Sequence, residues 1–117
     1  MTYWFSGLYT SIDAMRLDEF AAGLAPDVKL AVGNAPVLNG RDAAKQAIGS
    51  FFSTIAGMKH HMRNVAESNG LTFLEADVEY LRKDGQSVTI PTVTVLERSG
   101  DLVTSLRIYF DVAPVYA

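Results

Sequence analysis

The sequence predicts an α+β fold, with helices in the first half of the chain and antiparallel strands in the second. Apolar residues recur at helical spacing up to about residue 55, and beyond it long strand-like runs alternate with short turns. Helices followed by consecutive strands are typical of a sheet that carries the helices on one face. With 117 residues, of which 49% are hydrophobic, the chain is expected to form a single domain over residues 1–117.

Three helices are predicted in this first half. The first is indicated by apolar residues at spacings of three, four and three, namely Phe5, Leu8, Ile12 and Met15. The second covers residues 17–25 and is expected to end before Pro26, because the residue that precedes a proline is pushed out of helical geometry. The third is predicted over residues 41–55, where apolar residues again form one stripe.

A short strand is predicted first, followed by four long ones, at residues 28–32, 58–67, 71–83, 86–97 and 101–112. The turns between the long strands read SNG, KDG and RSGD, and such short connections join antiparallel neighbours. We therefore expect a meander in which Pro91 occupies an edge position or a bulge, since proline has no N–H for a ladder hydrogen bond. Strands of this length twist, so the helices should close a cavity against the concave face.

Composition excludes several classes of function. Thirteen acidic and ten basic residues give a net charge of −3 and an isoelectric point near 5.2. A nucleic acid or an anionic membrane surface requires a basic patch, so we expect neither as a partner. The chain has no cysteine and only two histidines, and we expect no thiolate chemistry, no metal and no cofactor. Without a secretory leader or a long apolar run, it is expected to be cytoplasmic.

Short motifs in a fixed order carry a resemblance to a known family. They are APDV at residues 25–28, NGRD at 39–42, VEY at 78–80, KDG at 83–85 and RIYFD at 107–111. In this order the chain resembles the SnoaL-like, polyketide cyclase-related branch of the nuclear transport factor 2-like superfamily. The resemblance covers essentially the whole chain. It implies a cone-shaped, curved antiparallel sheet with three N-terminal helices that close an internal pocket.

Two catalytic groups of that superfamily differ from this chain at their catalytic positions. Ketosteroid isomerases use an aspartate base near the end of the first strand, where this chain reads LAVGN at residues 30–34, and a second aspartate where Thr92 stands. Limonene epoxide hydrolase-like enzymes use an Asp-Arg-Asp set, which corresponds here to Ala76, Val78 and Ile108. The resemblance therefore implies the fold without either of these two chemistries.

Four residues are candidates for acid/base catalysis: Tyr9, Asp13, His61 and Asp111. Tyr9 and Asp13 are four residues apart on the first helix and can point into the pocket together, or can equally lie on the surface. His60 and His61 are adjacent in a strand, so one side chain points inward whichever register the strand adopts. Asp111 lies at a strand end, which can form the mouth of a cavity. The alternative for each of these residues is a structural or solvated role.

A second group of residues is expected to line the pocket: Trp4, Phe20, Asn34, Phe52, His60, Val78, Tyr80, Ile108 and Phe110. On the last strand, Ile108 and Phe110 alternate with Arg107 and Tyr109, and we favour the register with the apolar side chains inward. Ordinary core packing is the alternative for the aromatic residues, and turn formation is the alternative for Asn34.

Two classes of function follow from these patterns. The first is a domain that binds a small polycyclic or otherwise hydrophobic organic molecule in an apolar pocket and acts as a cofactor-free isomerase, cyclase or hydratase. The second is a non-catalytic ligand-binding or dimerisation module. Members of the family commonly form homodimers through the outer face of the sheet, which here carries Glu75, Asp77, Arg107 and Tyr109. Whether substrate is turned over stays open at this stage.

Overall fold

A computed structural model describes residues 3–117, which form helices on one face of a six-stranded sheet. The helices are α1 (Ser6–Asp13), α2 (Leu17–Ala22), α3 (Arg41–Phe52) and α4 (Ala113–Tyr116). The strands are β1 (Leu24–Val32), β2 (Leu38–Asn39), β3 (Gly57–Ser68), β4 (Leu71–Leu81), β5 (Ser87–Ser99) and β6 (Leu102–Tyr109). No helix within residues 3–117 has the length and apolar composition needed to cross a membrane.

The sheet confirms the predicted meander. The strand order is β2-β1-β6-β5-β4-β3, in which β3 to β6 are antiparallel neighbours and β1 lies parallel to β6. Residues with positive φ occur in all three predicted hairpin turns: Asn69 and Gly70, Gly85, and Gly100. The α+β class and the curved open sheet of the cone fold are thus confirmed.

Several predicted boundaries are wrong by a few residues. Helix α2 ends at Ala22, and β1 already begins at Leu24, so Pro26 lies inside a strand. The ladder between β1 and β6 shifts register between Leu24 and Lys29, so Pro26 occupies an irregular stretch where a missing N–H costs little. Helix α3 ends at Phe52 instead of residue 55, and the two-residue strand β2 was not predicted.

Pro91 lies at a local edge within an interior strand. Its pairing partner on β4 is Asp77, whereas the ladder between β5 and β6 begins only at Val93 and Tyr109. One side of the β5 backbone is therefore unpaired at Pro91, which is the environment that the sequence predicted.

The core lies between the helices and the inner face of the sheet. On β4 the inward residues from Thr72 to Tyr80 are buried at every second position, while the outward residues between them are half-buried. Phe20 of α2 and Leu30 of β1 belong to the same buried cluster as Leu74 of β4. Side chains therefore alternate between the two faces of β4, and those of the inner face form a floor beneath the helices.

Arg41 attaches the start of α3 to the start of β1. Its Nε donates a hydrogen bond to the Leu24 carbonyl oxygen at 2.8 Å, and its Nη2 donates to the same oxygen. The N–H of Gly40 donates to the Val28 carbonyl oxygen at 2.7 Å. Together these bonds explain the Gly-Arg pair at the start of the helix, because they fix the end of α3 from which its apolar face extends over the sheet.

Candidate functional site

A cavity of about 210 Å³ lies between the helices and the inner face of the sheet. Most of its wall is apolar and comes from α1, α2, α3 and the inner faces of β1, β5 and β6. Ala35 and Pro36, in the turn after β1, contribute to the wall and are also exposed to solvent. This turn therefore marks the side on which the cavity approaches the surface.

The main polar feature beside this cavity is an aspartate–histidine pair, of which His60 belongs to the wall. The carboxylate of Asp13, at the end of α1, lies 2.6 Å from Nδ1 of His60 on β3. The second carboxylate oxygen accepts a hydrogen bond from the backbone N–H of His60 at 3.0 Å. The His60 side chain is 10% exposed and that of Asp13 is 25% exposed. The double contact fixes the imidazole relative to both α1 and β3, and we call this pair the Asp13–His60 dyad.

The other imidazole nitrogen of His60 is free to act on a ligand. A carboxylate bound to Nδ1 favours the tautomer in which Nδ1 carries the hydrogen and Nε2 carries the lone pair. Within residues 3–117, every fully buried side-chain nitrogen or oxygen has a hydrogen-bond partner, whereas Nε2 of His60 has none. Nε2 therefore retains accessible surface, and His60 is part of the cavity wall. This geometry suits proton transfer to or from a bound molecule.

Two tyrosine side chains contribute to the same cavity wall. The Tyr9 ring meets the His60 ring edge to face, with 4.8 Å between the ring centres. Burial raises the pKa of the Tyr9 phenol well above its usual range; the Thr94 hydroxyl opposes this rise, and the Asp13 carboxylate adds to it. Burial also raises the pKa of Tyr80, and Tyr116 and Asp13 add to that rise. Both phenols consequently stay neutral at physiological pH and can donate hydrogen bonds.

Two of the four predicted catalytic residues lie at the cavity, and the other two lie away from it. Tyr9 is part of the cavity wall, and Asp13 holds His60 against it. His61 points to the opposite face of the sheet, where its Nε2 lies 3.1 Å from a carboxylate oxygen of Glu79. The choice of His61 over His60 is thus corrected, because neighbouring side chains of a strand point to opposite faces.

Asp111 also lies away from the cavity wall. Its side chain is exposed, and a carboxylate oxygen accepts a hydrogen bond from the backbone N–H of Ala113 at 3.0 Å. This contact, to the N–H two residues further on, forms a turn just before α4, which is a structural role typical of aspartate. The inward register predicted for the last strand does hold, since the neighbouring Phe110 is part of the cavity wall.

The residues expected to line the pocket also fall into two groups, those in the cavity wall and those outside it. Those in the cavity wall are Phe20, Phe52, His60, Tyr80, Ile108 and Phe110. Trp4 instead donates a hydrogen bond from Nε1 to the Thr72 hydroxyl at 3.2 Å, with the Arg98 guanidinium 4.5 Å from its ring centre. Asn34 is exposed in the turn after β1. Val78 is fully buried in a separate core cluster that includes Ile55 and Ile90.

The two threonines of the wall, Thr92 and Thr94, were not among the expected lining residues. Both are buried on the inner face of β5. The sequence could have indicated them, because Ile90, Thr92, Thr94 and Leu96 are alternate residues of β5 and therefore point to the same face. They supply hydroxyl groups to a wall that is otherwise mainly apolar.

The helices on a curved open sheet define a protein of the nuclear transport factor 2-like cone fold. The model of the SnoaL-like domain matches residues 5–106, and the chain belongs to this family. No curated protein sequence matches the chain significantly.

Solved structures with the same fold are distant in sequence. An NTF2-like protein of unknown function from Burkholderia pseudomallei is 20% identical, with a TM-score of 0.83 over 95% of this chain and 90% of that one. An LEH-like epoxide hydrolase from M. tuberculosis is 14% identical, with a TM-score of 0.80 over 97% and 84%. A putative SnoaL-like polyketide cyclase from Jannaschia sp. CCS1 is 17% identical, with a TM-score of 0.77 over 96% and 83%. At these identities the similarity establishes the fold alone.

Proposed function

We propose that this SnoaL-like domain is a cofactor-free acid/base enzyme that moves a proton on a small hydrophobic carbonyl compound. The observation that carries the proposal is the Asp13–His60 dyad, whose free Nε2 belongs to a residue of an apolar cavity wall. A histidine held by a carboxylate is a common general base. An apolar surrounding strengthens each polar interaction with a bound substrate because little water competes for it.

The dyad and the phenol of Tyr9 have separate roles in this reaction. Nε2 of His60 takes a proton from the carbon next to the substrate carbonyl, while the C–H electron pair forms an enolate. The Asp13 carboxylate stabilises the positive charge that the imidazole acquires. The neutral Tyr9 phenol, whose ring contacts that of His60, donates a hydrogen bond to the enolate oxygen. In a β,γ-unsaturated carbonyl compound, return of the same proton to the γ carbon completes an isomerisation.

The identity of two residues argues against epoxide hydrolysis, although one structural neighbour is an epoxide hydrolase. Ala76 and Val78 stand where the resemblance to limonene epoxide hydrolase-like enzymes requires charged side chains. Both are buried, at 3% and 0% exposure. Enolisation needs only one base and one hydrogen-bond donor, and His60 and Tyr9 supply these.

The decisive experiment measures deuterium incorporation from D₂O next to the carbonyl group in a panel of ketones. His60→Gln is expected to lower the rate by roughly 10²–10⁴-fold, which is the usual contribution of a general base. His61→Gln is the matched control, because it alters the neighbouring residue on the outer face and should leave the rate unchanged. Equal rates in wild type and His60→Gln, or no exchange above buffer for any ketone, would contradict the proposal.

The non-catalytic alternative is a ligand-binding module that forms a homodimer through the outer face of the sheet. This face exposes Val93 and Tyr109, at 38% and 55%, and carries charges of both signs, such as Glu75 and Arg107. Mixed charge around an apolar centre suits pairing with a second copy about a two-fold axis. Ligand binding without any exchange would favour this alternative over the enzyme.

A further inference from the structure

The size and the charge of the cavity restrict the substrate of the proposed enzyme. We infer that the cavity selects uncharged substrates with a single ring, whose carbonyl oxygen accepts a hydrogen bond from Tyr9 while the adjacent carbon faces Nε2 of His60. This inference rests on the proposed function for the role of the dyad, but its size and charge parts concern binding and can be tested without turnover. It narrows the hydrophobic or polycyclic ligand that the sequence suggests.

The size limit follows from the volume of about 210 Å³. An apolar cavity of about 150 Å³ holds one benzene ring. The additional space suffices for short substituents on that ring, whereas three fused rings exceed it. The sheet side of the wall is rigid, because Thr94 and Leu106 belong to strands that are paired on both sides. A larger ligand would have to displace either packed helices or the exposed turn at Ala35 and Pro36.

The charge restriction follows from the residues that form the wall. Among the described residues, no lysine or arginine belongs to it, so an anion would be buried without a positive partner. The Asp13 carboxylate would also repel an anion. It offers little to a cation, because each of its oxygens already accepts a hydrogen bond from His60. An uncharged ketone avoids both costs.

The orientation of a bound ketone follows from the positions of the polar groups in the cavity wall. His60 and Tyr9 are in ring contact on the α1–β3 side, whereas Ala35 and Pro36 form the exposed side of the wall. A ketone that enters past this turn can direct its oxygen to the Tyr9 phenol and the adjacent carbon to Nε2 of His60, while its ring fills the apolar remainder. The opposite orientation would direct the carbonyl oxygen toward the exposed turn, away from both groups.

The test compares the binding of three probes to the wild-type protein by NMR titration. Acetophenone has one ring and no charge, benzoate is similar in size but anionic, and 2-acetylanthracene has three rings. Acetophenone is expected to bind at least about tenfold tighter than either of the others, because desolvation of a carboxylate and exclusion of extra rings both cost binding. Benzoate or 2-acetylanthracene binding as tightly as acetophenone would overturn the inference.

A cavity variant extends the test. Ile108→Ala removes wall volume and should strengthen binding of 2-acetylanthracene relative to acetophenone. Val93→Ala, on the outer face of the sheet, is the control and should not. If Ile108→Ala proves unstable, the wild-type series still decides the question.

The inference and the proposed function fail in different ways. Selective binding of acetophenone without deuterium exchange in any ketone would refute the proposed function and retain the size and charge limits. Exchange restricted to three-ring ketones would retain the function and refute the size limit.

Discussion

At the scale of single residues, two adjacent histidines differ entirely in their surroundings. His60 contacts Asp13 and Tyr9 beside the cavity, while His61 contacts Glu79 at a surface where its side chain is 48% exposed. The chemical identity of the two side chains is the same. Their difference in proposed role comes from burial, a fixed carboxylate partner and a neighbouring phenol.

The buried phenols should make the protein less stable at alkaline pH. Burial raises the pKa of Tyr80 in the folded state above its ordinary value of 10.0, so the folded protein keeps a proton that the unfolded chain loses. Stability is therefore complete below about pH 10 and falls as the pH rises further, by up to about 1.4 kcal/mol per pH unit for each such group. Denaturant unfolding of wild type at pH 8–11 measures this slope.

Tyr80→Phe should reduce that alkaline loss, because the variant has no proton to lose at this position. Tyr109→Phe is the control, since Tyr109 is 55% exposed and its variant should retain the wild-type slope. An identical slope in wild type and Tyr80→Phe would show that the raised pKa of Tyr80 is not coupled to folding.

At the scale of elements, the Arg41 side chain adds a polar attachment to the apolar packing of α3 on the sheet. The Arg41 guanidinium donates two hydrogen bonds to the Leu24 carbonyl, and hydrogen bonds from charged groups contribute about 1.5–3 kcal/mol. Arg41→Met should lower the free energy of unfolding by about that amount, as measured by urea unfolding. Since α3 supplies Ile48 and Phe52 to the cavity wall, binding of acetophenone should weaken as well.

Arg16→Met provides a comparison for this prediction. The Arg16 side chain is 63% exposed and forms an ion pair with the exposed Glu19, at 3.6 Å. Surface ion pairs of this kind contribute little, so the variant should unfold at nearly the same urea concentration as wild type. Similar losses in both variants would show that a general loss of charge, and not the attachment of α3, determines the stability.

At the scale of the whole molecule, the sheet separates two surfaces with different proposed partners. The inner face contributes to a ligand cavity, and the outer face is proposed to bind a second copy. Sedimentation should detect a dimer of the wild-type protein. Tyr109→Glu should shift it toward monomer, because a carboxylate would be buried at the apolar centre of the interface.

Tyr116→Glu is the control for the dimer. Tyr116 is similarly exposed, at 54%, but belongs to α4 and not to the sheet. The dimer should persist in this variant. A wild-type protein that sediments as a monomer at all concentrations would remove the dimer proposal, without consequence for the dyad or the cavity.

The sequence by itself determined the order of the three N-terminal helices and the four long strands, and the alternation of β4 and β6. Apolar residues at every second position of β4 and β6 identified their inward faces, because one face of such a sheet must be buried. Helix and strand ends were less predictable. Pro26 and the end of α3 depend on a register shift and on packing that local propensity does not contain.

Only the tertiary structure decided which side chains meet. Alternation required that His60 and His61 face opposite ways, but the register that pairs His60 with Val78 selected the inward one. The contact between Asp13 and His60 spans 47 positions of sequence, so no local pattern could reveal it. The cavity likewise depends on how closely α1 and α3 pack on the sheet, which is a property of the assembled layers and not of any one segment.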